Sequence, residues 1–338
     1  LFSNTSTNGS GNINQWNWDM GGTGTYISGT STSQNPQFSY DSCGVYYVTL
    51  IVIDNNGCRD TIIKNVEVYC EPTASFTYQE ECVEDTTFFS STSTSPGNII
   101  EWEWDMGDGG TGTYVGGTSN SDENPQYIYQ DCGVYYVTLI IADDNGCNDT
   151  IQDSVYVYCP PEPNFSNSTE CQGDPTVFTD NSNPGAHPSA AIVSWNWTMN
   201  GNGSYVGGTT NTSTNPQYLF DTCGTYSVTL EVTDANGCIN SIIIPIVVDC
   251  NPTADFDAPP VCFDNLPVLF SNTSTNGSGN INQWIWDMGD NGAGSYVGGT
   301  NSTSINPHYT FDTCGLFNVT LIVIDNNGCR DTIIKNVE

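Results

Sequence analysis

Basic residues are almost absent from the chain. Its 338 residues include 4 Lys and Arg against 38 Asp and Glu, which gives a formal net charge of −34. Binding to nucleic acid or to an anionic membrane surface needs clustered Lys and Arg, so the composition excludes both partners. Two interpretations of the acidity remain: mutual repulsion between neighbouring copies, which keeps the protein soluble, and calcium binding.

Histidines are scarce, and no close C-x-x-C pair of the kind that chelates zinc occurs. The two histidines, His187 and His308, lie in unrelated contexts, so no catalytic triad can recur through the chain. We therefore predict no catalytic residues, no enzymatic activity and no required cofactor.

Long apolar runs are also missing. None reaches the roughly 20 residues that span a bilayer, so no membrane insertion is predicted. Leu1–Asn4 has neither the basic start nor the apolar core of a signal peptide, and we expect any export signal or anchor elsewhere in the protein.

Cysteine, by contrast, is abundant, with 14 residues. Without a zinc pattern, this number indicates disulfides and an oxidising compartment, hence a location outside the cell and at its surface. The cysteines also reveal a repeat of about ninety residues. Four series recur in step: Cys43, Cys132, Cys223 and Cys314; Cys58, Cys147, Cys238 and Cys329; Cys70, Cys159 and Cys250; Cys82, Cys171 and Cys262.

Short proline-bearing junctions after the third series divide the chain into four copies of one domain. We predict a partial domain at 1–70 that lacks its first strand, complete domains at 71–159 and 160–250, and a nearly complete one at 251–338. Leu1–Trp16 recurs unchanged as Leu269–Trp284, which implies a three-domain repeat within a much longer protein.

The pattern within each copy is that of β-strands. Val134–Ile141 is β-branched and aromatic, a turn follows, and Thr150–Tyr158 completes a hairpin. Alternation places Trp102, Trp104 and Met106 on one face, which we predict to be core. A sugar-binding role stays open for Trp102. The predicted core tryptophans are Trp18, Trp104, Trp197 and Trp286. About seven short strands in ninety residues favour an immunoglobulin-like sandwich.

Three segments resemble the PKD domain, an immunoglobulin-like module. They are Trp104–Gly109, which matches its W-D-F-G-D-G hallmark, Asn124–Tyr127 and Gly133–Leu139. The first and third copies depart from the hallmark and lose acidic residues. The resemblance implies an all-β fold of tandem PKD-type sandwiches in an elongated array. The cysteine-bearing version is most similar to PKD repeats in giant surface adhesins of gliding Bacteroidota.

In a sandwich of this topology, alternate loops lie at opposite ends, and the hairpin cysteine is too far from the other three to join them. We predict intradomain bonds Cys82–Cys132, Cys171–Cys223 and Cys262–Cys314, and interdomain bonds Cys70–Cys147, Cys159–Cys238 and Cys250–Cys329. Cys43 and Cys58 are then expected to pair outside the sequence. Bonds confined to single repeats are the alternative.

Two further kinds of site are suggested. Asp105, Asp108, Asp143 and Asp144 are oxygen ligands in loops, suited to calcium if any metal binds, although no EF-hand pattern occurs. Thr61, Thr150 and Thr332 each follow Asp and precede Ile, which resembles O-glycosylation sites of Bacteroidota.

These features favour a structural stalk of a long extracellular repeat protein, a surface adhesin or filament that spans distance and bears force. The expected partners are neighbouring domains of the same chain, other copies in a filament, and a surface or glycan ligand bound at a tip outside this sequence. The alternative is a set of spacer or carbohydrate-binding modules of a secreted hydrolase.

Overall fold

A computed structural model describes residues 1–185, 191–260 and 266–338. Within these ranges the chain forms twenty-nine β-strands and no helix, so none long and apolar enough to cross a membrane is found there. The chain separates into two compact units, Leu1–Tyr158 and Cys159–Glu338.

The first unit contains two copies of the repeat. In the first copy, β1–β4–β5 form one sheet and β2–β3 the other. In the second copy, the sheets are β10–β11–β8–β6 and β7–β13–β12–β9. The strands are β1 Ile13–Asp19, β2 Gly24–Ser28, β3 Gln37–Tyr40, β4 Gly44–Asp54, β5 Arg59–Val68, β6 Phe76–Tyr78, β7 Glu81–Cys82, β8 Thr86–Ser91, β9 Ile99–Asp105, β10 Thr113–Val115, β11 Gln126–Ile128, β12 Gly133–Asp143 and β13 Asn148–Tyr158.

The second unit repeats this plan twice. The third copy has sheets β14–β16–β19–β18 and β15–β21–β20–β17, and the fourth has β25–β28–β29, β23–β27–β26 and β22–β24. The strands are β14 Phe165–Asn167, β15 Glu170–Cys171, β16 Thr176–Asp180, β17 Ile192–Met199, β18 Gly203–Val206, β19 Gln217–Phe220, β20 Gly224–Asp234, β21 Ile239–Asp249, β22 Phe256–Asp257, β23 Val268–Leu269, β24 Ser271–Asn272, β25 Ile281–Asp287, β26 Ser295–Val297, β27 His308–Thr310, β28 Phe317–Asp325 and β29 Arg330–Val337. The all-β, immunoglobulin-like sandwich predicted from the repeat is confirmed.

The last two strands of every copy form a long antiparallel hairpin. In the third copy, β20 and β21 pair without interruption from Gly224↔Val248 to Thr233↔Ile239. Alternate residues of β20 point into the sandwich, so Val228, Leu230 and Val232 are fully buried. The hairpin therefore supplies one wall of the core and carries a cysteine near each of its ends.

Each complete core is organised around one tryptophan. Trp104, Trp197 and Trp286 are 2–3% exposed, as predicted. Each contacts a phenylalanine of the copy's first strand, with ring centroids 5.1–5.3 Å apart. Each indole N–H also donates to a loop carbonyl; for Trp104 the acceptor is the Asp122 carbonyl at 2.9 Å. These contacts fix the ring, and the core prediction for the three residues is confirmed.

Trp18 differs from its three equivalents because it is only half-buried. Its indole N–H donates to the Ser33 carbonyl, as the other copies would predict. Residues 1–70, however, contain no counterpart of the first-strand phenylalanine, Phe76 in the second copy, that covers the ring. The core prediction for Trp18 is thus only partly correct.

Trp102 lies on the core side of β9, where it packs against the buried cluster of the second copy. Its indole nitrogen is enclosed without a hydrogen-bond partner among the described residues. Trp16 and Trp284 share this condition, whereas Trp195 in the third copy donates to Asp180 Oδ2 at 2.8 Å. The packing favours a core role over a sugar-binding platform for this position.

Candidate functional site at the interdomain disulfide

A turn of sequence Asp-x-Asn-Gly-Cys joins the last two strands of each copy. In the fourth copy, Asp325 Oδ1 accepts hydrogen bonds from the backbone N–H of Asn327 at 3.0 Å and of Cys329 at 2.9 Å. The Asp325 N–H donates to the Cys329 carbonyl at 2.9 Å. Gly328, with φ of 89°, adopts the left-handed conformation that the turn requires. The aspartate thus holds the backbone of the cysteine from two sides.

The same turn recurs in the other three copies. Asp54, Asp143 and Asp234 each accept from the N–H of the cysteine four residues later, at 2.8–3.0 Å. In the second copy, partial burial alone would raise the pKa of Asp143, but hydrogen bonds from Cys147 N–H, the Ser95 hydroxyl and Asn145 N–H outweigh it and lower that pKa. The carboxylate therefore stays charged at neutral pH and keeps the turn closed.

Cys171 approaches the junction from the third copy. It lies on β15, a two-residue strand that pairs in parallel with the end of β21, with Cys171 opposite Asp249. Because β21 is the last strand of the third copy, this pairing places Cys171 at the end of the domain where the chain leaves it.

Cys171 and Cys329 form a disulfide between the third and fourth copies, with Cα atoms 5.5 Å apart. The bond connects residues 158 positions apart in sequence. Cys329 is 1% exposed, so its sulfur is enclosed at the junction. Two successive domains are therefore joined both by the backbone and by a sulfur bridge.

The linker between these copies is held from both sides. The Asn251 side chain donates to the Gln172 carbonyl of the third copy at 3.0 Å. The Cys250 N–H donates to the Ser278 hydroxyl of the fourth copy at 2.7 Å, and the Ser278 N–H donates back to the Cys250 carbonyl at 3.0 Å. Gly277 is required beside it, because a Cβ there would come within 2.0 Å of the same carbonyl. The linker consequently has little freedom to bend.

Cys250 is also fixed within its own domain by a disulfide to Cys223, and Cys43–Cys70 is the equivalent bond of the first copy. Both have Cα–Cα distances of 4.9 Å and join cysteines that are 27 positions apart in sequence. They follow from the hairpin register: Gly224 pairs with Val248, so Cys223 and Cys250, just beyond that pair on the two strands, come within bonding reach.

Several predicted pairings are therefore wrong. Cys171 bonds to Cys329 and not to Cys223, and Cys250 bonds to Cys223 and not to Cys329. Cys70 bonds to Cys43, which excludes both Cys70–Cys147 and a partner for Cys43 outside the sequence. The prediction correctly placed three cysteines of each copy at one end of the sandwich. It then assigned the last-strand cysteine to the interdomain bond, whereas the structure uses the first-loop cysteine, Cys171. Counting the register from the Asp-x-Asn-Gly turn would have identified the two that face each other.

Two further groups of cysteines differ in what they bond to. Cys314 has no disulfide in the structure, and its predicted partner Cys262 lies outside the described residues, as does His187. Cys82, Cys132, Cys159 and Cys238 are all disulfide-bonded. The pairings predicted for them, Cys82–Cys132 and Cys159–Cys238, stay predictions. Disulfides in this number indicate an extracellular protein.

The four candidate calcium ligands form two separate sets. Asp105 pairs with Thr138 at one end of β9 and β12, whereas Asp143 pairs with Ile99 at the other. Asp144 accepts from the backbone and side-chain nitrogens of Asn98 at 3.1 and 2.9 Å. The described ranges contain no cluster of three or more His, Cys, Asp or Glu that could hold a metal ion. The structure does not bring these carboxylates together, and each serves a local turn.

Asp108 of the hallmark segment organises the loop that follows β9. Its carboxylate accepts from the N–H of Gly110 and Gly112 at 2.9 and 2.7 Å and from the Tyr127 hydroxyl at 2.8 Å. Partial burial would raise the pKa of Asp108, but these bonds lower it overall. Asp290 and Tyr309 repeat the contact at 2.7 Å in the fourth copy. The hallmark aspartate therefore pins a core tyrosine to a loop.

The candidate glycosylation residues Thr61, Thr150 and Thr332 are all exposed on the last strand of their copies. The aspartate before each explains part of the motif. Asp149 Oδ2 accepts from the Ala74 N–H at 2.8 Å, and Asp331 Oδ2 accepts from the Ala254 N–H at the same distance. These bonds tie the entry of a domain to its last strand, and glycosylation of the threonines remains a prediction.

The PKD domain family matches the chain at residues 2–68, 70–159, 160–248 and 249–338. The chain is 31% identical over 154 residues to the pre-pro-metalloprotease PrtV of Vibrio cholerae serotype O1, in strain M66-2 and in strain ATCC 39315 / El Tor Inaba N16961. These residues are 45% of this chain and 15% of the relative, so the match spans a small part of the curated proteins.

Among solved structures, the chain is similar to the PKD1 domain of Vibrio cholerae PrtV, with 30% identity, coverage of 26% of this chain and 98% of that one, and a TM-score of 0.22. For the PKD1 domain of Vibrio anguillarum Epp, the identity is 23%, the coverage 28% and 100%, and the TM-score 0.23. With four family matches that together cover nearly its whole length, the chain belongs to the PKD domain family and consists of tandem immunoglobulin-like modules of a non-catalytic type.

Proposed function

We propose that the chain is a structural stalk segment of a long extracellular repeat protein, a cell-surface adhesin or filament that spans distance and bears force. The observation that carries the proposal is the disulfide between Cys171 and Cys329, which joins two successive domains. A module that only separates two other domains needs no second covalent connection to its neighbour. A module under tension benefits from one.

The sulfur bridge changes the path along which tension travels. A force applied along the chain reaches Cys171 on β15 near the start of the third copy and can cross directly to Cys329, from which it continues along β29. The strands between them are removed from the shortest covalent path. Most of both sandwiches is thereby protected from unfolding under load.

The surface and the partners fit this proposal. The net charge of −34 gives the chain a polyanionic surface, which favours solubility outside the cell. The direct partners are the adjoining domains of the same chain, with other copies in a filament as a second level, and the ligand, a surface or a glycan, is bound at a tip outside this sequence. The context that we propose for the chain is that of the cysteine-bearing PKD repeats in surface adhesins of gliding Bacteroidota.

Antibodies raised against the purified chain test the proposal on the cells that produce it. Immunogold labelling of intact, unpermeabilised cells should decorate fibres that project from the surface, with several gold particles along each fibre. Label found only in the culture medium, on a protein that carries hydrolase activity, would overturn the stalk assignment.

The second candidate, spacer or carbohydrate-binding modules of a secreted hydrolase, is favoured by one observation: the related PKD domains belong to a pre-pro-metalloprotease. The same labelling experiment separates the candidates. Retention of the chain on a polysaccharide column, abolished by free sugar, would support the carbohydrate-binding form of this alternative.

A further inference from the structure

The hairpin turn of the second copy reproduces the one that carries the interdomain disulfide. Cys147 occupies the position of Cys329, its N–H donates to Asp143 at 3.0 Å as that of Cys329 does to Asp325 at 2.9 Å, and the backbone bond of the turn is 2.9 Å in both. Cys147 nevertheless has no disulfide in this structure. The turn that positions Cys329 for its interdomain bond is therefore also present at Cys147, where no bond is formed.

The surroundings of Cys147 face the linker that enters the second copy. Burial, the charge of Asp143 and the charge of Glu71 together raise the pKa of the Cys147 thiol. Glu71 follows Cys70 as Asn251 follows Cys250. In the third and fourth copies, the equivalent linker residue Asn251 contacts Gln172, next to the bonded Cys171. Cys147 thus lies at the same kind of junction as Cys329.

We propose that Cys147 is the receiving half of an interdomain disulfide whose other half is the first-loop cysteine, equivalent to Cys171, of the PKD domain immediately before its own. This inference rests on the proposed function and gives the junction a direction. The first loop of each domain reaches forward, and the hairpin turn of the next domain receives it. Residues 1–70 contain three cysteines, Cys43, Cys58 and Cys70, and none stands at the first-loop position. Cys58 occupies the same turn position in the first copy and has no disulfide in this structure.

The bond forms by ordinary thiol–disulfide exchange. The two cysteine thiols lose two protons and two electrons, and a glutathione disulfide takes them up to give two molecules of glutathione. A first-loop cysteine held beside Cys147 reacts with it in preference to a diffusing reagent, because the two sulfurs are already close.

The chain itself supplies the test. Because Leu1–Trp16 is identical to Leu269–Trp284, placing residues 251–268 before Leu1 restores a nearly complete first copy that includes a first-loop cysteine equivalent to Cys262. The extended chain is refolded with oxidised and reduced glutathione, alkylated without reduction, and mapped by mass spectrometry. The matched control carries Ser in place of the added cysteine.

We expect the added cysteine to be linked to Cys147 in the extended chain, with at least a tenfold loss of alkylation there, while Cys58 stays alkylated. In the Ser control, both Cys58 and Cys147 should be alkylated. Cys43–Cys70 and Cys171–Cys329 in the same map report that the protein has folded. With those two bonds present, an alkylated Cys147, or a link from the added cysteine to Cys58, overturns the inference. Such a result leaves the stalk proposal standing, since the labelling of cells tests that separately.

Discussion

Mechanical extension of the second unit offers the sharpest check on the proposed load path. The perturbation is Cys171→Ser with Cys329→Ser in a fragment of residues 160–338, which corresponds to one compact unit apart from its first residue. Cys238, Cys262 and Cys314 are replaced by Ser in both the parent and the variant, so that Cys171–Cys329 and Cys223–Cys250 are the two bonds that remain in the parent.

The expected difference in length follows from the disulfide positions. Cys171–Cys329 closes 158 positions, of which Cys223–Cys250 closes 27 independently. Breaking the first bond while keeping the second frees about 130 residues, which at 3.3–3.6 Å per extended residue is about 430–470 Å. The parent fragment, once unfolded, can extend only by the roughly 20 residues outside the bridge, about 70 Å.

Optical tweezers with handles at the two ends measure these lengths directly. Adding a reductant to the variant should release the 27 positions closed by Cys223–Cys250, about 90 Å more. The reasoning is refuted if parent and variant unfold to the same contour length, because the bridge would then carry no load. In the chain-entropy model the lost bridge also costs about 5 kcal/mol, so the variant should denature at a lower guanidinium concentration.

Three further predictions concern single side chains. Replacing Asp108 by Ala removes a charged acceptor from Tyr127 and two loop amides, so the free energy of unfolding of the second copy, measured by calorimetry, should fall by about 1–3 kcal/mol. Combining this change with Tyr127→Phe should cost less than the sum of the two single changes, and additive losses would contradict the contact. Changing Ser91 to Asp copies Asp180 of the third copy and gives the Trp102 indole N–H an acceptor. The free energy of unfolding should rise by about 1–2 kcal/mol, and the melting temperature by about 4–8 °C per kcal/mol. An unchanged melting temperature would contradict this. Because the pKa of Asp143 is lowered in the fold, its stabilising effect is complete above the ordinary carboxyl pKa of about 3.9 and is lost as the pH falls through the lowered value. The dependence of stability on acidic pH, followed by circular dichroism, should therefore be weaker in Asp143→Asn than in the parent. Identical curves would contradict this.

The repeat pattern predicted the fold well because it depends on periodicities that local physics fixes. Alternation placed Trp104 and Met106 inside, and both are 3% exposed. The Asp-x-Asn-Gly turn predicted the long hairpin, since its glycine supplies a positive φ that other residues reach only with strain. Each of these signals lies within a few residues of the feature that it predicts.

Disulfide pairing was predicted less well because it depends on distances between segments that are far apart in sequence. Knowing which end of the sandwich holds a cysteine restricts the choice to three, but the register of β20 against β21 then decides between them. The forward position of Cys171 depends on its short parallel pairing with β21, a contact that has no local sequence signal. The hairpin cysteine Cys329 was correctly assigned to an interdomain bond, because it is isolated at its own end of the sandwich.

The hallmark aspartate has a hydrogen-bond partner on a neighbouring strand wherever it occurs in the described residues. In the second and fourth copies, Asp108 and Asp290 accept from a tyrosine hydroxyl of the neighbouring strand. In the third copy, whose loop is shorter and lacks the acid, Tyr218 donates to the Gly201 carbonyl at 3.1 Å instead.

The first copy makes the complementary change. Its shortened loop also lacks the aspartate, and the tyrosine is replaced by Phe38, which needs no acceptor. A calcium site would lose a ligand in every copy without the aspartate. A hydrogen bond between a loop and a tyrosine, by contrast, can be lost at little cost when both partners are replaced. The joint loss of acid and hydroxyl therefore favours a purely structural role for the hallmark. The turn aspartate that holds each hairpin cysteine is present in all four copies, and in the fourth copy that cysteine joins two successive domains.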